Sequence, residues 1–225
     1  MPFQNRVNPY GEIVATPARG QFMGNRGILH DEHRRLERAR WRTKAWITCV
    51  LDWKRVKREV MAPGAYTELF FLDEATACAA GHRPCAECRR ADFNAFIRAW
   101  AEGTGWTADT RPKVGDIDAR LHAERVEPRT RRKITFRAPL DGLPDGTMVI
   151  MPDVPETPWL ILGGGLLPWS MQGYGAMKKR GSGMVEVLTP RSTVAAFAAG
   201  YRAHLHLSAY EPSRSLIMDI IQDGP

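Results

Sequence analysis

The 225-residue chain contains no run of eighteen apolar residues, so it offers no segment that would cross a bilayer as a helix. Met1 to Gln21 is polar and irregular and lacks the apolar stretch of a secretory signal. Both absences lead to the expectation of a cytoplasmic protein. Cysteine is scarce: Cys49, Cys78, Cys85 and Cys88 are the only four. In a reducing compartment so few thiols point to metal ligation rather than to a disulfide framework. Acidic residues are outnumbered, and no internal repeat is visible. What remains is 44% apolar, enough for one large or two small cores and too much for disorder.

The net charge of +7 is unevenly spread. Between Arg26 and Arg58 eleven Arg and Lys stand against four acids, so this segment carries as much excess as the whole chain. Its cations include Arg26, Arg34, Arg35, Arg38, Arg42, Lys44, Lys54, Arg55, Lys57 and Arg58. A second basic run is Arg129-Thr130-Arg131-Arg132-Lys133. Clustered Arg and Lys form the electrostatic footprint of a phosphate backbone, and nucleic acid, DNA before RNA, is the expected partner.

Local patterns predict an α+β fold. Residues 1–23 read as an arm, residues 24–140 as a zinc-stabilised basic α+β module, and residues 141–225 as a glycine-rich antiparallel β region with a final helix. Asp31 to Trp41 reads as a short arginine-rich helix. Trp46 to Trp53 reads as a strand with Ile47, Cys49, Leu51 and Trp53 on one face, hairpinned to Lys57–Met61. Glu68 to Phe71 is a further strand. Asp73 would cap a helix from Glu74 to Ala80 that Gly81 ends. Phe93, Phe96, Ile97, Trp100 and Ala101 make one apolar stripe on a helix over 89–101, and a helix over 115–126 follows. Beyond the turn at Gly142–Gly146, strands are expected at 148–151, 159–162, 165–169 and 184–188, with Ser192 capping a last helix to Ala199.

The sharpest motif is Arg83-Pro84-Cys85-Ala86-Glu87-Cys88. A C-x-x-C turn between a helix end and a helix start aims two thiolates at one ion, and thiolates select Zn²⁺. The segment Phe70–Cys88 resembles the second half of the Ada-like zinc domain, which runs from an aromatic strand through a short helix ending in Gly to R-P-C-x-x-C. The same half occurs in zinc modules of some bacterial nucleases, where an upstream half reads G-N-x₅-H. Gly24-Asn25 to His30 is similar, one residue shorter. The resemblance spans roughly residues 24 to 100 and implies a zinc site that joins His30 to Cys85 and Cys88. The fourth ligand is Cys49 or His33, with the softer Cys49 thiolate preferred over a histidine among arginines. The methyl-acceptor chemistry of Ada belongs to the half this chain does not match, so the zinc is expected to be structural. Cys78 reads as core.

Two weaker constellations remain. Asp118 and His122 stand four residues apart on a predicted helix, where a carboxylate could orient an imidazole for general-base work in a nuclease or base-processing hydrolase; a solvated helix face is the competing reading. Trp169 and Tyr174, beside Lys178, Lys179 and Arg180, could stack extruded bases, or could be core residues of a small sheet.

Overall fold

Strand pairing begins within the first seven residues. The computed structural model describes residues 1–54, 59–107, 110 and 112–210, and its first element is strand β1 (Gln4–Val7), with Asn5 and Val7 buried. With β2 (Ile13–Ala15), β3 (Phe22–Asn25), β4 (Ile47–Cys49), β5 (Leu69–Phe71) and β6 (Arg83–Pro84) it forms a sheet ordered β2-β1-β5-β3-β4-β6. The expected N-terminal arm is therefore an edge of this sheet. Its strands are three or four residues long and too short to announce themselves by alternation. Gly24 is required where β3 passes β4, because a Cβ there would lie 2.1 Å from the carbonyl oxygen of Ile47.

No helix forms at Asp31–Trp41. The chain turns there, with Arg34 at φ +60° and a single bridge between His30 and Leu36. The Asp31 carboxylate accepts from the backbone N–H groups of His33 and Arg35, a local bond that competes with helix. A helix would also stack Arg34, Arg38 and Arg42 at i,i+4 spacing, where like charges repel. Of the hairpin strand expected at Lys57–Met61, Lys57 and Arg58 lie outside the described residues and residues 59–61 form no strand; β4 pairs instead with β3 and β6.

Helix α1 (Glu74–Ala79) is capped by Asp73, whose carboxylate accepts from Thr76 N–H at 2.9 Å. Gly81, at φ +90°, turns the chain into β6. Helix α2 (Arg90–Gly103) buries Phe93, Phe96, Ile97 and Trp100, each worth roughly 1.5–3 kcal/mol of transfer free energy for a full-sized side chain. Helix α3 spans Val114–Arg125. The second sheet contains β7 (Phe136–Pro139), β8 (Met148–Met151), β9 (Val154–Leu162), β10 (Gly165–Ser170), β11 (Gly173–Tyr174) and β13 (Met184–Val187) in the order β11-β10-β9-β8-β13-β7, with β12 (Lys178–Lys179) on β10. All its pairings are antiparallel. Helix α4 (Arg191–Ala198) follows. Ser192 does not cap it but bonds to Glu124 of α3, through N at 2.8 Å and Oγ at 2.6 Å.

The architecture is α+β, and its cores cross residue 140. One cluster joins Cys78 and the α2 and α3 faces to Ala196, Phe197 and Tyr201; another joins Leu72, Ala75 and Ala79 to Met148, Leu160, Tyr174 and Leu188. Two buried acids secure this junction. Asp73 accepts from Tyr174 Oη at 2.8 Å and His206 N at 3.1 Å. Glu74 accepts from Tyr201 Oη at 2.6 Å and His204 N at 2.9 Å, and pairs with Arg89 at 2.9 Å. Among the described residues no helix is long and apolar enough to cross a membrane.

Candidate metal centre and the basic face

Cys49 ends β4, and Cys85 follows β6. Parallel pairing of Ile47 with Arg83 and Thr48 with Pro84 lays these strands side by side. The Cys85 N–H donates to the Thr48 carbonyl at 2.9 Å. The C-x-x-C turn then brings Cys88 round before α2 starts. The three sulfurs lie within 4.8 Å of one another. Thiolates around one zinc, with bonds of about 2.3 Å, sit about 3.8 Å apart, so the trio fits a tetrahedral ion with little movement. The Glu87 N–H donates to the Cys85 sulfur at 3.4 Å, and the backbone at Val50 bonds Cys88. Such bonds favour thiolate over thiol.

The three thiols titrate unequally. The Cys85 pKa is lowered to about 5, first by the Cys49 thiol donating to it and then, against desolvation, by backbone N–H groups of Cys88 and Glu87. The Cys49 thiol is pushed up because it spends its proton on Cys85 and is desolvated. Burial likewise raises Cys88. Binding a cation here must displace the protons of Cys49 and Cys88. Cys78 lies away from the trio in the apolar cluster beneath α2, its thiol raised by burial, as a core residue should be.

Neither histidine joins the trio. His30 is buried, with Nδ1 2.6 Å from Thr67 Oγ1 and Nε2 3.2 Å from the Ala62 carbonyl. Both ring nitrogens are thus taken by β5-side partners. His33 is exposed beside Glu32. Among the described residues no fourth Cys, His, Asp or Glu completes the group, so an ion on three sulfurs keeps one position for a ligand from outside the trio. The residues expected on one strand face, Ile47, Cys49, Leu51 and Trp53, line a cavity of about 160 Å³ along with Asn25, Tyr66 and Glu87, although the strand itself ends at Cys49.

Asp118 and His122 share the inner face of α3 but not a task. The Asp118 carboxylate grips Arg83 through two bonds, Nε–Oδ1 at 2.7 Å and Nη2–Oδ2 at 2.8 Å. Its partner is that guanidinium, and the His122 ring bonds to Arg125 instead. His122 meets Arg125 Nη2 at 3.0 Å through Nδ1 and packs edge-on against Trp41 and Trp46. Desolvation, then the charges of Arg125 and Lys44, lower its pKa to about 4. Asp118 thus clamps Arg83, two residues before Cys85, while His122 packs with Trp41, Trp46 and Arg125, and the two form no acid–base couple.

The aromatic loop is also core. Trp169 Nε1 donates to Thr76 Oγ1 at 3.0 Å, and Tyr174 is buried with its hydroxyl on Asp73. Arg180 donates to the Leu140 and Leu143 carbonyls, Lys178 lies over the Trp159 ring, and Lys179 is exposed. Of the basic segment, Arg35, Arg38, Arg42, Lys44 and Lys54 are exposed. Arg34, Arg35 and Arg42 pair with Glu59, Asp31 and Glu37. Arg55, Lys57 and Arg58 lie outside the described residues. Arg131 and Arg132 are exposed, and Arg131 donates to the Arg38 carbonyl at 2.8 Å, which joins the two basic runs into one face. Arg26 and Arg125 are buried beneath that face. Neither burial was legible in the local sequence, because Arg26 is covered by Gly11, Trp46 and His82 and Arg125 by Lys44, Trp46 and Gly81.

Comparison with family models, with curated proteins and with solved structures finds no match.

Proposed function

We propose that this chain is a zinc-binding protein that binds nucleic acid, with DNA processing or repair as its setting. The observation that carries the zinc reading is the convergence of Cys49, at the end of β4, with Cys85 and Cys88 of the C-x-x-C turn within 4.8 Å. Zinc held there would fasten the end of β4, the turn after β6 and the approach to α2, which is structural work. The nucleic-acid reading is supported by the meeting of the two basic runs at Arg38 and Arg131, which concentrates Arg35, Arg38, Arg42, Lys44, Arg131 and Arg132 for phosphate contacts.

The test is fluorescence anisotropy with labelled duplex and single-stranded DNA, using protein whose zinc content is measured first. Binding should weaken by at least tenfold between roughly 50 and 200 mM salt as counterion release demands, and Arg38→Gln with Arg131→Gln should reduce the salt slope. Equal binding at both salts, or none at low salt, overturns the nucleic-acid reading and leaves a zinc-stabilised module for other partners.

A further inference from the structure

Beneath the basic face lies a group of cations that the protein itself does not neutralise. Arg26 follows β3 and is 1% exposed; Arg125 closes α3 and is 2% exposed. Their guanidinium groups lie against the buried Trp46 ring, at 3.9 Å and 3.8 Å from its centroid. Arg26 donates to His82 Nε2 at 3.3 Å and to the Gly11 carbonyl at 2.9 Å, and its Nη2 has no partner among the described residues. Arg125 donates to the carbonyls of Gly81 and Lys44, and its Nε has no partner among the described residues. Lys133 donates to the Ala79 carbonyl. The neighbouring rings of His82 and His122 are held neutral by burial and by these charges. Asp118, the carboxylate whose field reaches Arg125, is already committed to Arg83.

Buried charge is costly unless an opposite charge meets it. These cations instead press on one another. Desolvation, then Arg26 and Arg125, bring the Lys133 pKa down to about 7; desolvation, then Arg40, bring that of Arg26 down to about 9. The group opens on a cavity of about 530 Å³, within the usual range for ligand sites. Six cations line it: Arg26, Arg40, Arg125, Arg131, Arg132 and Lys133. Against them stands one acid, Glu12, which is exposed and takes a bond from Asn8. Trp41 supplies an aromatic wall.

We propose that this cavity binds a phosphate monoester of the nucleotide class, with the phosphate on Arg26, Arg125 and Lys133 and the base against Trp41. A phosphate brings nearly two charges and three acceptor oxygens to three separate cations, which a carboxylate cannot match. The cavity exceeds what inorganic phosphate fills, and the indole offers a face for a base. The inference goes beyond zinc and surface binding of nucleic acid; it shares Arg131 and Arg132 with that surface, and the comparison of adenosine 5′-monophosphate with adenosine tests it separately.

The experiment uses the full zinc-loaded chain in calorimetry and thermal-shift assays. The ligands are inorganic phosphate, adenosine, adenosine 5′-monophosphate, ribose 5-phosphate, and a short oligonucleotide with a 5′-phosphate or a 5′-hydroxyl. Adenosine 5′-monophosphate should bind at least roughly tenfold tighter than adenosine, and inorganic phosphate should raise Tm. A gain from the 5′-phosphate on the oligonucleotide assigns the site to strand ends; a gain confined to the free nucleotide assigns it to mononucleotides; either supports the proposal. Lys133→Met should weaken the nucleotide by about tenfold while raising Tm in the absence of ligand, because it removes repulsion. Arg132→Gln, at the exposed rim, should weaken binding without touching the core, and Arg137→Gln on β7 should leave it unchanged. Equal affinity for adenosine and its monophosphate, no response to any phosphate, or equal losses from Arg132→Gln and Arg137→Gln would overturn the proposal.

Discussion

Replacing Asp118 by Asn tests whether the α3 carboxylate is a clamp or a catalytic base. The substitution keeps size and shape and removes one charge. The Arg83 side chain is 5% exposed and that of Asp118 10%, and two short bonds join them. Arg83 retains its bond to the Pro84 carbonyl, but its charge is left buried beside Arg125. Breaking a buried pair by removing one partner costs about 3–5 kcal/mol. At two to four degrees per kcal/mol for a chain of this size, Tm should fall by on the order of 10 °C. Urea unfolding of wild type, Asp118→Leu, Arg83→Met and the double variant Asp118→Leu/Arg83→Met completes a cycle beside Asp118→Asn. The double variant should recover most of the loss, since an apolar pair leaves nothing buried without a partner. Because Arg83 sits two residues before Cys85, Asp118→Asn should also lower zinc affinity. A variant as stable as wild type, or a double variant no better than the worse single one, would refute the clamp.

Three further outcomes are expected. Cys85→Ser should abolish stoichiometric zinc in metal analysis, whereas Cys78→Ser should retain it and show only a modest packing loss; zinc lost equally from both would sink the assignment of the trio. Glu74→Gln removes the buried one of the two carboxylates that pair with Arg89, leaving Asp92, and should cost about 1–3 kcal/mol in denaturant unfolding; wild-type stability would refute the role of Glu74 as a junction. Stability should fall as pH drops from about 6.5 to about 4, because unfolded chains protonate His122 near pH 6.5 while the folded one resists to about 4. Protons taken up by the unfolded state alone make stability rise with pH across that window. His122→Gln should flatten this slope between pH 7 and 4.5, and an unchanged slope would show that His122 does not carry it.

Elements built from one continuous pattern were legible in the chain. The apolar stripe of α2, the Asp73 cap of α1, strands β8 to β10 and the C-x-x-C turn all came from contacts within a dozen residues. The small neighbours of Cys78 on α1 pointed to core, although the residues that bury it, from Phe93 to Tyr201, lie far along the chain. The N-terminal strands were not legible, because each is three or four residues long; β1 and β2 pair with each other, but what joins them to the sheet is distant, Arg6 of β1 with Phe70 of β5. The expected helix at Asp31–Trp41 lost to an Asp31 turn and to crowding of arginines, a competition that periodicity does not register.

The candidate site divides in the same way. Its two knuckle cysteines follow from their spacing alone. Cys49 reaches them only because β4 and β6 pair in parallel, 36 residues apart by number, and His30 is kept away by Thr67 at 2.6 Å. Charge was countable from residue types, so a basic face was expected. Which cations face water and which are buried without an anion is a matter of burial and of long-range partners. The sequence by itself determined the thiol turn, the charge excess and the long helices. Tertiary structure alone decided the third sulfur, the commitment of Asp118 to Arg83, and the buried charge around Trp46.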